Sequence, residues 1–185
     1  MLNYKEYGSG PPLLILHGLF GMLDNWQTLG KAFSEKYRTF LIDQRNHGRS
    51  PHFPSISYPE MAKDLLGFTS EQGLTPSHLL GHSMGGKAAM QFALDYPEQV
   101  ARLMVVDMAP RQYPGGHEQI LDALQSITPE EAESRADIAS ELAQSIKEKG
   151  IRLFLMKNLS RKKEGGYRWK MNLEAIARNY EKILA

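Results

Sequence analysis

Between the apolar run His78-Leu79-Leu80 and a helical pattern from Lys87 to Leu94 stands the pentapeptide Gly81-His82-Ser83-Met84-Gly85. A chain that arrives as a strand and leaves as a helix must turn sharply within these residues. The turn brings the two backbones close together and strains the dihedrals of the residue at its tip, so small neighbours are required. Gly81, Gly85 and Gly86 supply that clearance. The geometry lifts the Ser83 hydroxyl beyond the end of a sheet and aims the helix N-terminus at any negative charge developing there. Glycines around a serine also make ordinary strand-to-helix turns. The flanking strand and helix favour a nucleophile.

The rest of the first 110 residues fits that turn. Leu2 to Tyr7 reads as a short edge strand, stopped by Gly8-Ser9-Gly10-Pro11. Leu13 to Leu16, Arg38 to Ile42, Ser77 to Leu80 and Arg102 to Val106 read as strands, and Trp26 to Phe33, Tyr58 to Gln72 and Gly85 to Tyr96 as helices. Short apolar runs alternating with helical patterns predict the α/β class, with a mostly parallel sheet and crossover helices. After Pro110 the texture changes. Gly115-Gly116 reads as a linker, and Ile120 to Ile127, Pro129 to Gly150, Ile151 to Asn158 and Leu173 to Leu184 as helices, with no strand among them. The chain therefore divides into a core over residues 1–110 and a helical subdomain over 111–185.

Composition narrows the function. At 185 residues, with 42% hydrophobic and 23% charged, the chain has the material for one core. The net charge of +1 gives no electrostatic footprint for nucleic acid or an anionic membrane. The absence of cysteine excludes disulfides, thiolate–zinc sites and a cysteine nucleophile. The apolar runs Pro12 to Leu16 and Leu103 to Val106 are far too short to span a bilayer, and Met1 to Tyr7 lacks the apolar core of a signal peptide. A cytoplasmic location is the expectation.

Two more segments carry chemistry. His17-Gly18-Leu19-Phe20-Gly21 follows an apolar strand, where backbone N–H groups can meet the oxyanion formed when an ester carbonyl is attacked. Met84 N–H, directly after the serine, is one candidate donor and Leu19 N–H the other. His17 and His82 read as packed, hydrogen-bonding residues rather than proton carriers. Asp107 lies just past the apolar end of a parallel strand, on the same sheet edge as Ser83, and is the candidate acid. Its plain alternative is a turn cap.

Taken together these segments resemble the α/β-hydrolase-fold serine esterases, and within them the YbfF branch of bacterial esterases. The stretches that carry the resemblance are Leu16 to Gly21, Asp43 to Ser50, Gly81 to Gly86, Val106 to Pro110, Phe154 to Leu159 and Tyr167 to Leu173. The resemblance implies hydrolysis of carboxylic esters or thioesters such as acyl-CoAs, without metal or organic cofactor. It also implies that the helical part is a cap over the site, that Asp107 is the triad acid, and that Asp43 and Arg45 are structural. In this family the catalytic histidine follows serine and acid. Of His17, His47, His52, His78, His82 and His117, only His117 follows Asp107, and it sits beside the Gly115-Gly116 linker. The expectation is a chain truncated before its histidine, nearly inactive alone, with the strand before Asp107 left as an exposed apolar edge.

A serine at position 83 disfavours epoxide hydrolase and dehalogenase chemistry, which use a carboxylate there, and leaves peptidase, lipase and perhydrolase activity open. A non-catalytic ligand-binding member of the same fold is the competing class. Arg161-Lys162-Lys163 reads as solvated surface, with an anchor for coenzyme A phosphates as the alternative.

Overall fold

The computed structural model describes residues 1–185. Five strands form the main sheet: β1 (Tyr4–Tyr7), β2 (Pro12–Leu16), β3 (Arg38–Ile42), β4 (Ser77–His82) and β5 (Val100–Val106). Their order is β1-β3-β2-β4-β5. All neighbouring pairs are parallel except β1 with β3, so the expected edge strand is present and antiparallel. Helix α1 (Gln27–Phe33), preceded by a 3₁₀ turn at Leu23–Trp26, packs on β3. Helices α2 (Tyr58–Gln72) and α3 (Met84–Asp95) pack on each other, and α3 covers β4 and β5.

The period of two in each strand divides the core. Leu13, Ile15, Leu41 and Leu80 face a cluster of five buried residues on the α1 side. Leu14, Leu16, Phe40, Ile42 and Leu79 face a larger cluster of 33 buried residues reached by α2 and α3. Strands buried on both faces read as unbroken apolar runs, which is why β2 and β3 are plain in the sequence. β5 differs. It is the edge strand opposite β1, paired only with β4, and Leu103, Met104 and Val106 on it are exposed.

Connectivity fixes where a site must lie. From β2 the chain moves outward to β3, then crosses back over β2 to β4. Strand order reverses between β2 and β4, and the loops leaving their C-terminal ends diverge and open a crevice. Ser83 follows β4, Leu19 follows β2 and Asp107 follows β5.

Residues after Pro110 form α4 (Glu118–Gln125), α5 (Arg135–Ser145), α6 (Lys149–Met156), α7 (Leu173–Arg178) and α8 (Tyr180–Leu184). The expectation of no strand here is wrong. Leu159–Arg161 (β6) and Tyr167–Trp169 (β7) pair as an antiparallel hairpin. Three residues are too few to show a period of two, so the Gly165-Gly166 turn was the only available sign. The single helix expected over 129–150 is also wrong. It begins only at α5, where Ser134 accepts from Asp137 N–H and the Asp137 carboxylate accepts from Ser134 N–H. That capping box makes 129–133 a separate turn. No helix of the chain is long and apolar enough to cross a membrane.

Candidate active site

Ser83 sits at the tip of the turn between β4 and α3 with φ 52° and ψ −122°. A non-glycine residue at positive φ with this ψ is strained, and it persists only because its surroundings fix it. Ser83 N–H donates to Val106 O at 3.0 Å, and Ser83 O accepts from Gly86 N–H at 2.8 Å. The glycines are where contact demands them. A Cβ on Gly81 would lie 2.3 Å from Gly85 O, and one on Gly85 would lie 2.5 Å from Leu16 O. Strand and helix backbones touch there.

Leu19 and Phe20 form the turn after β2, closed by Gly21 N–H donating to Gly18 O at 3.0 Å. Leu19 N–H has no acceptor within the protein. Met84 is the first residue of α3, whose opening N–H groups have no intrahelical partner. The expected donors thus lie on either side of Ser83, Leu19 in the turn after β2 and Met84 at the first position of α3. Asp107 also has positive φ, 55°, and its side chain is exposed. One cavity of about 530 Å³ is lined by Ser83, Asp107, Leu19, Trp26, His82 and His117, with Ile120, Ile151 and Phe154 from the second half of the chain. The structure therefore brings Ser83, Asp107 and Leu19 to one opening, with Met84 directly behind it. No group of three or more His, Asp or Glu side chains is placed to hold a metal ion.

The loop architecture beneath is held by buried polar groups. Asp43 accepts from Leu23 N–H (2.7 Å), Asn3 Nδ2 (2.7 Å) and Arg49 N–H (2.9 Å). Arg45 makes a two-pronged pair with Asp64 at 2.6 and 3.0 Å. Asn158, fully buried after α6, donates to Phe20 O at 2.6 Å and so ties the second half of the chain to the Leu19 turn. The sequence marked Asn158 only as part of a resembling stretch. A single asparagine carries no signal of a contact 138 residues away.

His17 is buried, accepts from Gln44 N–H at Nε2 (3.1 Å) and donates from Nδ1 to Gly18 O (2.8 Å). Its ring lies 5.1 Å from that of His47, also fully buried. Burial chiefly drives both pKa values down, to about 4 for His17 and about 3 for His47. Both rings are neutral when folded, and unfolding returns them to about 6.5. Their contribution to stability is full above pH 6.5 and declines as pH falls towards 4, because only the unfolded chain takes up the protons. At pH 5 each costs about 2 kcal/mol. Urea unfolding at pH 7.5 and pH 5 is expected to show that loss. Unchanged stability would mean that the rings are not held neutral.

The first 135 residues settle the family. A sequence model described as alpha/beta hydrolase fold matches residues 11–135. The chain belongs to the α/β-hydrolase fold family. Similar proteins within this α/β-hydrolase family include a mouse sn-1-specific diacylglycerol lipase, ABHD11, at 41% identity over 94% of this chain and 59% of that protein. The Escherichia coli esterase YbfF is 32% identical over 95% of this chain and 68% of its own length. A solved esterase from a marine microorganism superposes with a TM-score of 0.98 at 43% identity, over all of this chain and 73% of that one. The chain spans 59% and 62% of the length of the mouse and Xenopus laevis lipases it matches.

Proposed function

We propose that this α/β-hydrolase chain carries a serine hydrolase site for carboxylic esters, including thioesters, that works through an acyl-enzyme on Ser83. The observation that carries the reading is the strained Ser83 backbone at the strand-to-helix turn, opening into the cavity it shares with Asp107 and Leu19. In this reading the ester carbonyl carbon meets Ser83 Oγ while its oxygen takes hydrogen bonds from the Leu19 and Met84 N–H groups. Asp107 is the acid that would orient an imidazolium. Residues 111–185 act as a cap, because Ile120, Ile151 and Phe154 roof the cavity above the 1–110 core. Names of the relatives, esterases and lipases, favour ester substrates. They say nothing of thioesters.

The base is not one of the six histidines here. His17 and His47 are committed to internal hydrogen bonds. His52 bonds Lys170 O, and His78 packs on Tyr37. His82 lines the cavity beside Ser83 but lies against Trp26, and no carboxylate is bonded to its ring. His117 reaches the cavity, but its Nδ1 lies 3.3 Å from the Tyr180 hydroxyl and no carboxylate orients it. Burial holds its pKa down. Without a base the serine retains only the rate given by binding and oxyanion stabilisation.

Fluorophosphonate labelling followed by mass spectrometry tests the assignment. Slow modification at Ser83, unaffected by His117→Ala, is expected. Labelling abolished by His117→Ala would make His117 the base. No labelling of folded protein would favour the competing reading, a ligand-binding member of the fold without turnover.

A further inference from the structure

The Leu19 N–H group belongs to a turn that would not hold its shape unaided. Of Gly18, Leu19, Phe20 and Gly21, only Phe20 has a positive φ, 59°. With Gly21 N–H bonded to Gly18 O at 3.0 Å, that is the pattern of a type II turn. Its third position is the place of glycine or asparagine, because a larger side chain is crowded there. Phenylalanine is strained at it, and such strain persists only where the surroundings fix the backbone.

The peptide between Phe20 and Gly21 is gripped at both edges. Its N–H donates to Gly18 O, and its carbonyl oxygen accepts from Asn158 Nδ2 at 2.6 Å. A planar peptide bonded on both edges cannot rotate without losing one of the two bonds. Leu19 N is a member of the ring that the Gly21–Gly18 bond closes, so fixing this peptide fixes the direction of the Leu19 N–H. Asn158 is itself held firmly. Its N–H donates to Leu155 O at 2.9 Å and its carbonyl accepts from Lys170 N–H at 2.7 Å. The side chain is fully buried, and its Oδ1 accepts no hydrogen bond from the protein. Burying an amide with one end unpaired is costly, so packing alone does not account for an asparagine here. Its one side-chain bond is the one to Phe20 O.

We propose that Asn158 is a positioning residue of the oxyanion site: by holding Phe20 O it keeps the Leu19 N–H aimed at the place a substrate oxygen takes beside Ser83. The proposal rests on the hydrolase reading of Ser83. Asn158 directly follows α6, which also carries Ile151 and Phe154 to the cavity. The donor is therefore set only while α6 is seated on the core.

The concentration dependence of fluorophosphonate labelling separates this role from a structural one. In that reaction Ser83 Oγ bonds to phosphorus, fluoride leaves, and the phosphonyl oxygen gathers charge that the oxyanion donors receive. Asn158→Leu keeps the bulk of the side chain and removes its donor. Its maximal labelling rate is expected to fall roughly tenfold to hundredfold, short of the roughly 10²–10³ lost with an entire donor. The half-saturating concentration should stay at the parental value. Asn172→Ala is the matched control. Asn172 also ties the second half of the chain to the core, through Asn46 Oδ1 and Phe53 O at 3.3 Å, and it caps α7. It touches nothing in the Leu19 turn, so its loss should lower the melting temperature and leave the labelling rate unchanged. An unchanged rate in Asn158→Leu, equal falls in both variants, or a change confined to half-saturation would each overturn the proposal. Asn158→Ala carries the same expectation should the leucine variant not fold. A parent chain that does not label would sink the hydrolase reading and this proposal with it, whereas a labelled parent matched by Asn158→Leu would sink this proposal alone.

Discussion

Ser83→Ala is expected to abolish covalent modification by a fluorophosphonate, while ester hydrolysis, already limited to what binding and the oxyanion donors provide, changes little. The effect is all-or-none for labelling, because the phosphorus bond needs an oxygen at that position. The fold should survive. Ser83 Oγ makes no hydrogen bond within the protein, and alanine keeps the Cβ that the turn already accommodates. Ser83→Gly is a sharper probe of the same turn. Glycine adopts φ 52° without penalty, whereas serine there stores roughly 1–3 kcal/mol of strain. The glycine variant should therefore melt higher than the parent while losing all labelling. A lower melting temperature for Ser83→Gly would show that the turn is not strained, and would remove the main support for the nucleophile assignment.

The second large effect is expected at Gly85. A methyl group there would sit 2.5 Å from Leu16 O and 2.6 Å from His17 O. Both obstacles are backbone atoms at the end of a central strand, so neither can swing away as a side-chain tip would. Gly85→Ala must push α3 off the sheet and is expected to cost about 3 kcal/mol, a fall in melting temperature of roughly 10 °C. Gly67, inside α2, is the matched control. An added Cβ meets nothing within 4 Å there, and Gly67→Ala should gain up to about 1 kcal/mol. Thermal melts of the two variants side by side separate steric crowding from a general intolerance of alanine. Equal behaviour would mean that strand and helix do not touch at residue 85.

Legibility from sequence followed the length of the elements and the locality of the contacts. β3 and α2 run over the expected residues, Arg38–Ile42 and Tyr58–Gln72, because a continuous apolar run and a fifteen-residue helical period are strong signals. β4 extends through His82, two residues past the expectation, since glycine and histidine carry no strand preference of their own. The hairpin of β6 and β7 left no such trace. Its pairing is fixed by neighbours, Lys162 N–H to Gly166 O and Tyr167 N–H to Pro129 O. At the site, Ser83 and the Leu19 turn were legible because their chemistry is local. Asn158 was not, because it acts through a loop far away in sequence.

The outer position of β5 bears on the timing of any chemistry at this site. Ser83 is carried by a strand with a neighbour on each side, whereas Asp107 is carried by one with a ladder on a single side. Fewer hydrogen bonds must open for β5 to detach than for β4, so its fluctuations cost less free energy. Ser83 is therefore clamped, while Asp107 rides on a strand that opens more readily. The placement of Asp107 at the cavity it shares with Ser83 then depends on β5 staying seated on β4.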